Sequence, residues 1–242
     1  MICEGVAAGV REWAEVTHEL RRPLGVAQGY LTMLIEGHLG SLADGQRRAL
    51  LRIQSKLAET QNQLEQWVLQ GRLETDSVTP ALRGLDLVRE AESAIERAQP
   101  RIELQGGSLG FEPPQFRVPA IADSALLARI LDNLLDNAIT YADGAPQVNV
   151  QVDMADGPLV RICDGGMGMD PSLGEQIFER DFRADPAGGR PGSGLGLYLS
   201  RRAAELMHAW LWVEWTQPGQ GSCFRLDLQG PQDDLPGQMA PG

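Results

Sequence analysis

Between Val10 and Leu34 the chain sets an apolar residue or Thr at alternating steps of three and four, through Trp13, Thr17, Leu20, Leu24, Ala27 and Leu31. That spacing is the seam of a heptad helix, and neither a strand nor a loop uses it. After the breaker-rich stretch from Gly37 to Gly45 the steps resume at Leu50, Ile53, Leu57, Thr60, Leu64 and Trp67 and stop near Gly71. Two such helices form an antiparallel hairpin whose seams one copy covers poorly. Pairing with a second copy as a four-helix bundle covers both, so a homodimer is expected; the alternative is a hairpin packed on its own chain.

Beyond Leu73–Pro80 the period changes. A helix is expected across Leu87–Ala98, short strands near Arg101–Leu104 and Gln115–Val118, and a helix over Asp123–Tyr141. Alternating Gln147–Met154 and the run Leu159–Cys163 read as adjacent strands joined at Asp156-Gly157-Pro158, followed by a helix over Leu195–Met207 and strands at Trp210–Trp215 and Cys223–Leu228. The expected fold class is therefore α+β: a helical hairpin over residues 1–75, then an α/β sandwich over 76–229. The tail from Gln229, with residues 230–242 outside the second domain, is rich in Pro and Gly and is expected to be disordered.

Against 33 acidic residues stand 21 basic ones, a formal net charge of -12. That balance argues against nucleic acid or an anionic membrane as partner, and any anion must be held locally. No apolar run approaches the roughly 20 residues of a membrane span, and the N-terminus lacks the basic start and apolar stretch of a signal peptide, so a cytoplasmic setting is expected. Cys3, Cys163 and Cys223 are scattered and only three histidines accompany them. Neither a disulfide framework nor structural zinc is expected.

Four local constellations carry chemistry. In THELRRPL (Thr17–Leu24), Thr17 sits on the seam and His18 at the following position, which turns the imidazole toward the bundle flank, with the Glu19 carboxylate beside it. Pro23 has no N–H for the carbonyl of Glu19, so the helix is expected to bend or loosen there. A lone surface histidine is inert in most helices. In RILDNLLDNAITYA (Arg129–Ala142), Asn133 and Asn137 share one helix face at i, i+4, and two carboxamide oxygens suit a magnesium ion already neutralised by phosphates. The plain alternative is that both face water. CDGGMGMD (Cys163–Asp170) ends an apolar strand in Asp164, an acceptor for an exocyclic amine, and follows it with Gly165, Gly166 and Gly168, where a flat ring can approach bare backbone. Read plainly, Asp-Gly-Gly is a turn. GGRPGSGLGLYLSR (Gly188–Arg201) runs a glycine-rich loop into a helix whose first N–H groups, at Gly194, Leu195 and Gly196, suit phosphate. It follows no βαβ strand and lacks the acidic residue of a dinucleotide fold, so a Rossmann reading fails.

In this order the motifs resemble the catalytic core of sensor histidine kinases of two-component systems. THELRRPL is similar to the H box, DNLLDNAITYA to the N box, CDGGMGMD to the G1 box, IFERDFR (Ile177–Arg183) to the F box and GSGLGLYL to the G2 box. The resemblance covers nearly the whole chain. It implies a dimerisation and histidine-phosphotransfer hairpin over 1–75, then an ATP-binding domain over 76–229 of the type shared with gyrase, heat-shock chaperone and mismatch-repair ATPases. The implied reaction moves the γ-phosphoryl of ATP onto His18, with Glu19 as its acid–base neighbour, and then onto an aspartate of a response-regulator receiver domain. By the same resemblance Asn137 and Asn133 are Mg2+ ligands, Asp164 reads adenine, and Tyr141, Gly166, Gly168 and Met169 line the nucleotide. Gly192, Gly194, Leu195 and Gly196 cradle phosphates beneath a lid over Met169–Ser193, packed down by Phe178 and Phe182 and swinging on Gly188, Gly189 and Gly192.

Two positions depart from the family. Arg22 stands four residues after His18, where many members carry the Thr or Asn implicated in dephosphorylating the partner, so strong phosphatase activity is not expected. Thr140 replaces a common lysine near the phosphates, which points to weaker ATP affinity or to compensation by Arg190. With 17 residues before His18 and no membrane span, the chain reads as an excised core or a small kinase signalled by a separate sensor protein. The competing readings are a related ATPase without histidine phosphorylation and a degenerate docking scaffold.

Overall fold

The computed structural model describes residues 22–74, 78–183 and 194–231. The chain divides into two compact units, Met1–Val78 and Thr79–Gly242.

In the first unit helix α1, over 22–35, ends in a turn, and helix α2 follows at Asp44–Glu74. Gly37 and Gly40 take positive φ angles of 82° and 116° in the connection, a conformation that a Cβ would disfavour. The Gln46 side chain accepts from the backbone N–H of Ala43 at 3.0 Å and the Arg47 guanidinium donates to the Ile35 carbonyl at 3.1 Å, closing the hairpin. Val26, Tyr30, Met33 and Ile53 remain exposed on the single chain. His18, Glu19 and the front of the first seam lie outside the described residues, so the expected bend before Pro23 has no described counterpart.

The second unit runs β1 (Arg83–Asp86), α3 (Leu87–Leu104), β2 (Ser108–Phe111), β3 (Pro119–Ala122), α4 (Ser124–Thr140), β4 (Gln147–Asp153), β5 (Leu159–Asp164), α5 (Gly196–Leu206), β6 (Trp210–Gln217) and β7 (Gly221–Asp227). β1 and β3 form a small antiparallel pair, and the main sheet has the order β2-β4-β5-β7-β6, parallel at β2–β4 and antiparallel elsewhere. Strand β4 alternates as its sequence does: Val148, Val150 and Val152 are buried while Gln147, Asn149 and Gln151 are exposed. The three helices pack on one another in series and against the sheet. Leu127, Ile130, Leu131, Leu134 and Leu135 of α4 are all at most 2% exposed, each burial contributing about 1.5–3 kcal/mol. Asp123 fixes where α4 starts, its Oδ1 accepting from the N–H groups of Ala125 and Leu126.

Several expected elements differ. Arg101–Leu104 is not a strand but the last turn of α3, because Ile102 continues the buried helical stripe of Leu87, Ala91, Ala94 and Ala98. Gln115–Val118 is irregular, flanked by β2 and β3, and β1 was not expected at all. At the tail, Gln229 accepts from the N–H of Ile121 at 2.8 Å and Gly230 is buried, so these two residues belong to the second unit; residues beyond 231 lie outside the described set. Cys163 and Cys223, against the expectation, are joined as a disulfide, since β5 and β7 set them directly opposite each other despite a separation of 60 residues. Among the described residues no helix is long and apolar enough to cross a membrane.

Candidate functional site

Helix α4, the end of β5 and the start of α5 converge on one corner of the second unit. Helix α4 ends at Tyr141, whose backbone carbonyl accepts from the N–H of Met167 at 3.0 Å. A side chain on Gly166 would overlap the same carbonyl, so the loop after β5 passes α4 only as bare backbone. Gly168, at φ 57°, lies so near the carbonyl of Gln217 that no Cβ fits. The loop is further pinned to the β6–β7 turn: Gly219 donates to the Met167 carbonyl at 2.7 Å, and Met169 donates to Thr216 Oγ1 at 3.0 Å.

Asp164 closes β5 at the mouth of this loop. Its Oδ1 accepts from the Gly166 N–H at 2.8 Å, and the N–H of Ser222, paired with Asp164 across the ladder, lies near enough to pull the carboxyl pKa down. Burial nevertheless holds the carboxyl above its ordinary pKa, against the downward pull of those two N–H groups. Residual acceptor capacity therefore sits in a partly desolvated recess beside backbone without side chains, the surroundings in which an exocyclic amine is read.

The two asparagines of α4 are placed differently. Asn133 donates through Nδ2 to Ser200 Oγ at 3.0 Å, and its Oδ1 lies hard against Gly196 at the start of α5. Asn137 is half-buried, and among the described residues its carboxamide has no hydrogen-bond partner. A neutral oxygen ligand without a competing partner fits Mg2+ held together with phosphates; Asn133 has its one carboxamide oxygen, Oδ1, in a contact that already serves packing. Leu195, which precedes α5, makes no side-chain cap bond to its first turn, and a helix start of this kind carries the positive end of the helix dipole.

The lid expected over Met169–Ser193 is described as far as residue 183. It begins with two short 3-10 turns, Pro171–Leu173 and Gln176–Phe178. Phe178 is buried, edge-on to Phe224 at 6.5 Å, while Phe182 is half-buried. The Arg201 guanidinium lies between Phe178 and Trp210, 4.2 and 4.6 Å from the ring centroids, and Nη2 reaches Glu175 at 3.2 Å. Gly188, Gly189, Arg190 and Gly192 lie outside the described residues.

The corner thus gathers Asn133, Asn137, Tyr141, Asp164, Gly166, Gly168, Met169, Gly194, Leu195 and Gly196 within one folded unit. Sequence reasoning missed Thr216 and Ser222, a buried hydroxyl pair 2.8 Å apart beneath the loop, and Arg201. The signal for the pair is slight: two small polar residues in strands that also carry Glu214, Gln217, Arg225 and Asp227.

Comparison with known proteins gives two family matches. Residues 122–232 match the model described as "Histidine kinase-, DNA gyrase B-, and HSP90-like ATPase", and residues 10–76 match the "His Kinase A (phospho-acceptor) domain". Sensor histidine kinase MtrB of Mycolicibacterium paratuberculosis is 33% identical over 220 residues, 89% of this chain and 38% of that protein. Adaptive-response sensory kinase SasA of Gloeothece citriformis is 31% identical over 228 residues, 89% of this chain and 56% of that protein. The chain therefore spans well under two thirds of these relatives. Among solved structures, full-length ShkA in complex with AMPPNP superposes with a TM-score of 0.63 at 24% identity, covering 90% of this chain and 45% of that one, a likeness of fold. The mycobacterial sensor histidine kinase MprB gives 0.52 at 28% identity, covering 61% of this chain and 97% of that one.

Proposed function

The chain belongs to the histidine kinase family, and we propose that it is the phosphoryl-transfer core of a two-component sensor, phosphorylating His18 from ATP and passing the phosphoryl group to an aspartate of a response-regulator receiver domain. The observation that carries the reading is the desolvated Asp164 acceptor at the mouth of a side-chain-free loop, in the same unit as the unpartnered carboxamide of Asn137.

Adenine would lie against the loop from Gly165 to Met169, its amine donating to Asp164, with Thr216 and Ser222 holding the loop from beneath. Phosphates would run toward the start of α5, past Gly194 and Gly196. Bound Mg2+ would supply charge neutralisation of the polyphosphate, with Asn137 as its main protein ligand and Asn133 secondary. Phosphoryl transfer asks mainly for alignment and electrostatics, so the remaining requirement is delivery of the His18 nitrogen in line with the terminal phosphate. The neutral imidazole near pH 7 is nucleophilic, and Glu19 takes up or orients the proton on its other nitrogen. We assign the hairpin, 1–75, to dimerisation and phosphotransfer, residues 76–229 to ATP binding, and the cytoplasm as the compartment in which both ATP and a receiver domain are met. The input comes from a separate sensor protein or domain.

Incubation with Mg2+ and γ-labelled ATP tests this with wild type and His18→Ala. Acid-labile label on wild type alone supports the kinase. Turnover without label supports an ATPase, and neither supports a docking scaffold.

A further inference from the structure

Cys163 and Cys223 are joined across β5 and β7, and their chain neighbours face each other at the acceptor: Asp164 follows Cys163, and Ser222, its partner in the ladder, precedes Cys223. We propose that these cysteines are a reversible dithiol–disulfide couple, oxidised by a hydroperoxide and reduced by a dithiol, whose state sets how tightly the adjoining pocket holds adenine nucleotide.

The placement supports both halves. Successive strand residues point to opposite faces, so the cysteine pair lies on the sheet face away from the helices and Asp164 on the nucleotide side. The same outer face carries Arg161 opposite Arg225, one pair along, with Glu214 bonding both guanidinium groups. Cys163 is half-buried whereas Cys223 is 1% exposed with Glu214 Oε2 4.0 Å from its sulfur. Cys163 is thus the thiol an oxidant meets, and Cys223 the one that resolves. The Cys163 thiolate attacks one peroxide oxygen, the O–O bond breaks, an alcohol leaves and a sulfenic acid remains. Cys223 displaces its hydroxyl as water, so two thiols and one hydroperoxide yield one disulfide, one alcohol and one water. A dithiol reverses this by exchange. Where ATP is plentiful, thiols are kept reduced, so a disulfide there is transient and reports oxidant.

Coupling to the pocket follows from the register. The Cα atoms of residues 163 and 223 stand 4.0 Å apart in the last-but-one pair of the β5–β7 ladder, next to Asp164 opposite Ser222. Two thiols in van der Waals contact need more room than one disulfide, and Cys223 has no open space to turn into. Reduction therefore eases β7 away from β5 where Ser222 lies opposite Asp164, and the acceptor loses preorganisation. This half rests on the nucleotide reading given above.

The full chain, carrying Cys3→Ser to exclude unrelated crosslinks, is treated with hydrogen peroxide or with dithiothreitol. Peptide mass analysis after alkylation reads the couple; titration with a fluorescent ATP analogue and Mg2+ reads the pocket. The expected result is a Cys163–Cys223 linked peptide after peroxide only, and nucleotide binding on the order of fivefold weaker in the reduced protein. The Cys163→Ser/Cys223→Ser double variant should bind equally under both treatments. Two alkylated thiols after peroxide overturn the couple. Equal affinity in both states, or a double variant that still responds, overturns the coupling. No nucleotide binding in either state overturns the nucleotide reading and the coupling with it, while the peptide masses still decide the couple.

Discussion

The Oδ1 of Asn133 lies directly against Gly196, the first residue of α5, while its Nδ2 holds Ser200 one turn further on at 3.0 Å. One carboxamide thus fastens α4 to the first turn of α5, and only glycine leaves room for it. Gly196→Ala should push Asn133 and the first turn of α5 apart. The expected cost is about 1–3 kcal/mol of stability, typical of an overfilled contact, with loss of nucleotide binding. Thermal unfolding and ATP-analogue titration check both; a variant of wild-type affinity would show that the contact is not needed.

Asn137 should behave in the opposite way. With no described partner for its carboxamide, Asn137→Ala should leave stability within about 0.5 kcal/mol of wild type. Mg2+-dependent ATP binding should nevertheless weaken on the order of tenfold, and the difference from wild type should vanish in chelator. Equal binding with and without Mg2+ in wild type would remove Asn137 from that role.

These contrasts mark how far the sequence was legible. Helix α4 was plain because its apolar residues recur at helical spacing and Asp123 announces its start, both local signals. The tail of α3 was misread since Arg101–Leu104 alternates over four residues, too short a window to separate a strand from the end of a helical stripe. Pairings across long separations were not legible at all. Nothing in Ser222, Thr216 or the two cysteines says that β5, β6 and β7 meet, and that meeting alone sets Ser222 opposite Asp164 and Cys163 opposite Cys223. The tie that holds Gln229 to the second unit is equally hidden, because it is a backbone bond to Ile121.

Asp164 predicts a trade between stability and binding. Burial raises its folded-state pKa above the unfolded value of 3.8, so its stability contribution is fullest below 3.8 and is lost as pH rises through the higher folded value. At neutral pH the ionised carboxylate is therefore a burden on the fold. Asp164→Asn keeps an acceptor oxygen for Gly166 and removes that burden, so its melting temperature should exceed wild type at pH 7 and the gain should shrink toward acid. Adenine-nucleotide affinity should fall by about 1–3 kcal/mol, since an amide both weakens the acceptor and presents a donor to the exocyclic amine. A melting-temperature gain independent of pH would show that burial of charge is not its source.

Arg201 carries the last prediction. Its guanidinium is stacked between Phe178 and Trp210, bonded to Glu175 and 9% exposed, so it joins α5 to the turn that opens the expected lid. Arg201→Ala leaves both rings without their shared partner and should cost about 2–4 kcal/mol. Arg201→Lys keeps the charge but not the flat surface that two rings can sandwich, and should recover less than half of that loss. Because the clamp acts on the segment around Phe178, both variants should open residues 169–183 to limited proteolysis before the sheet unfolds. If the lysine variant protects that segment as well as arginine does, the stacking has no part in holding it, and the ion pair with Glu175 is the operative contact.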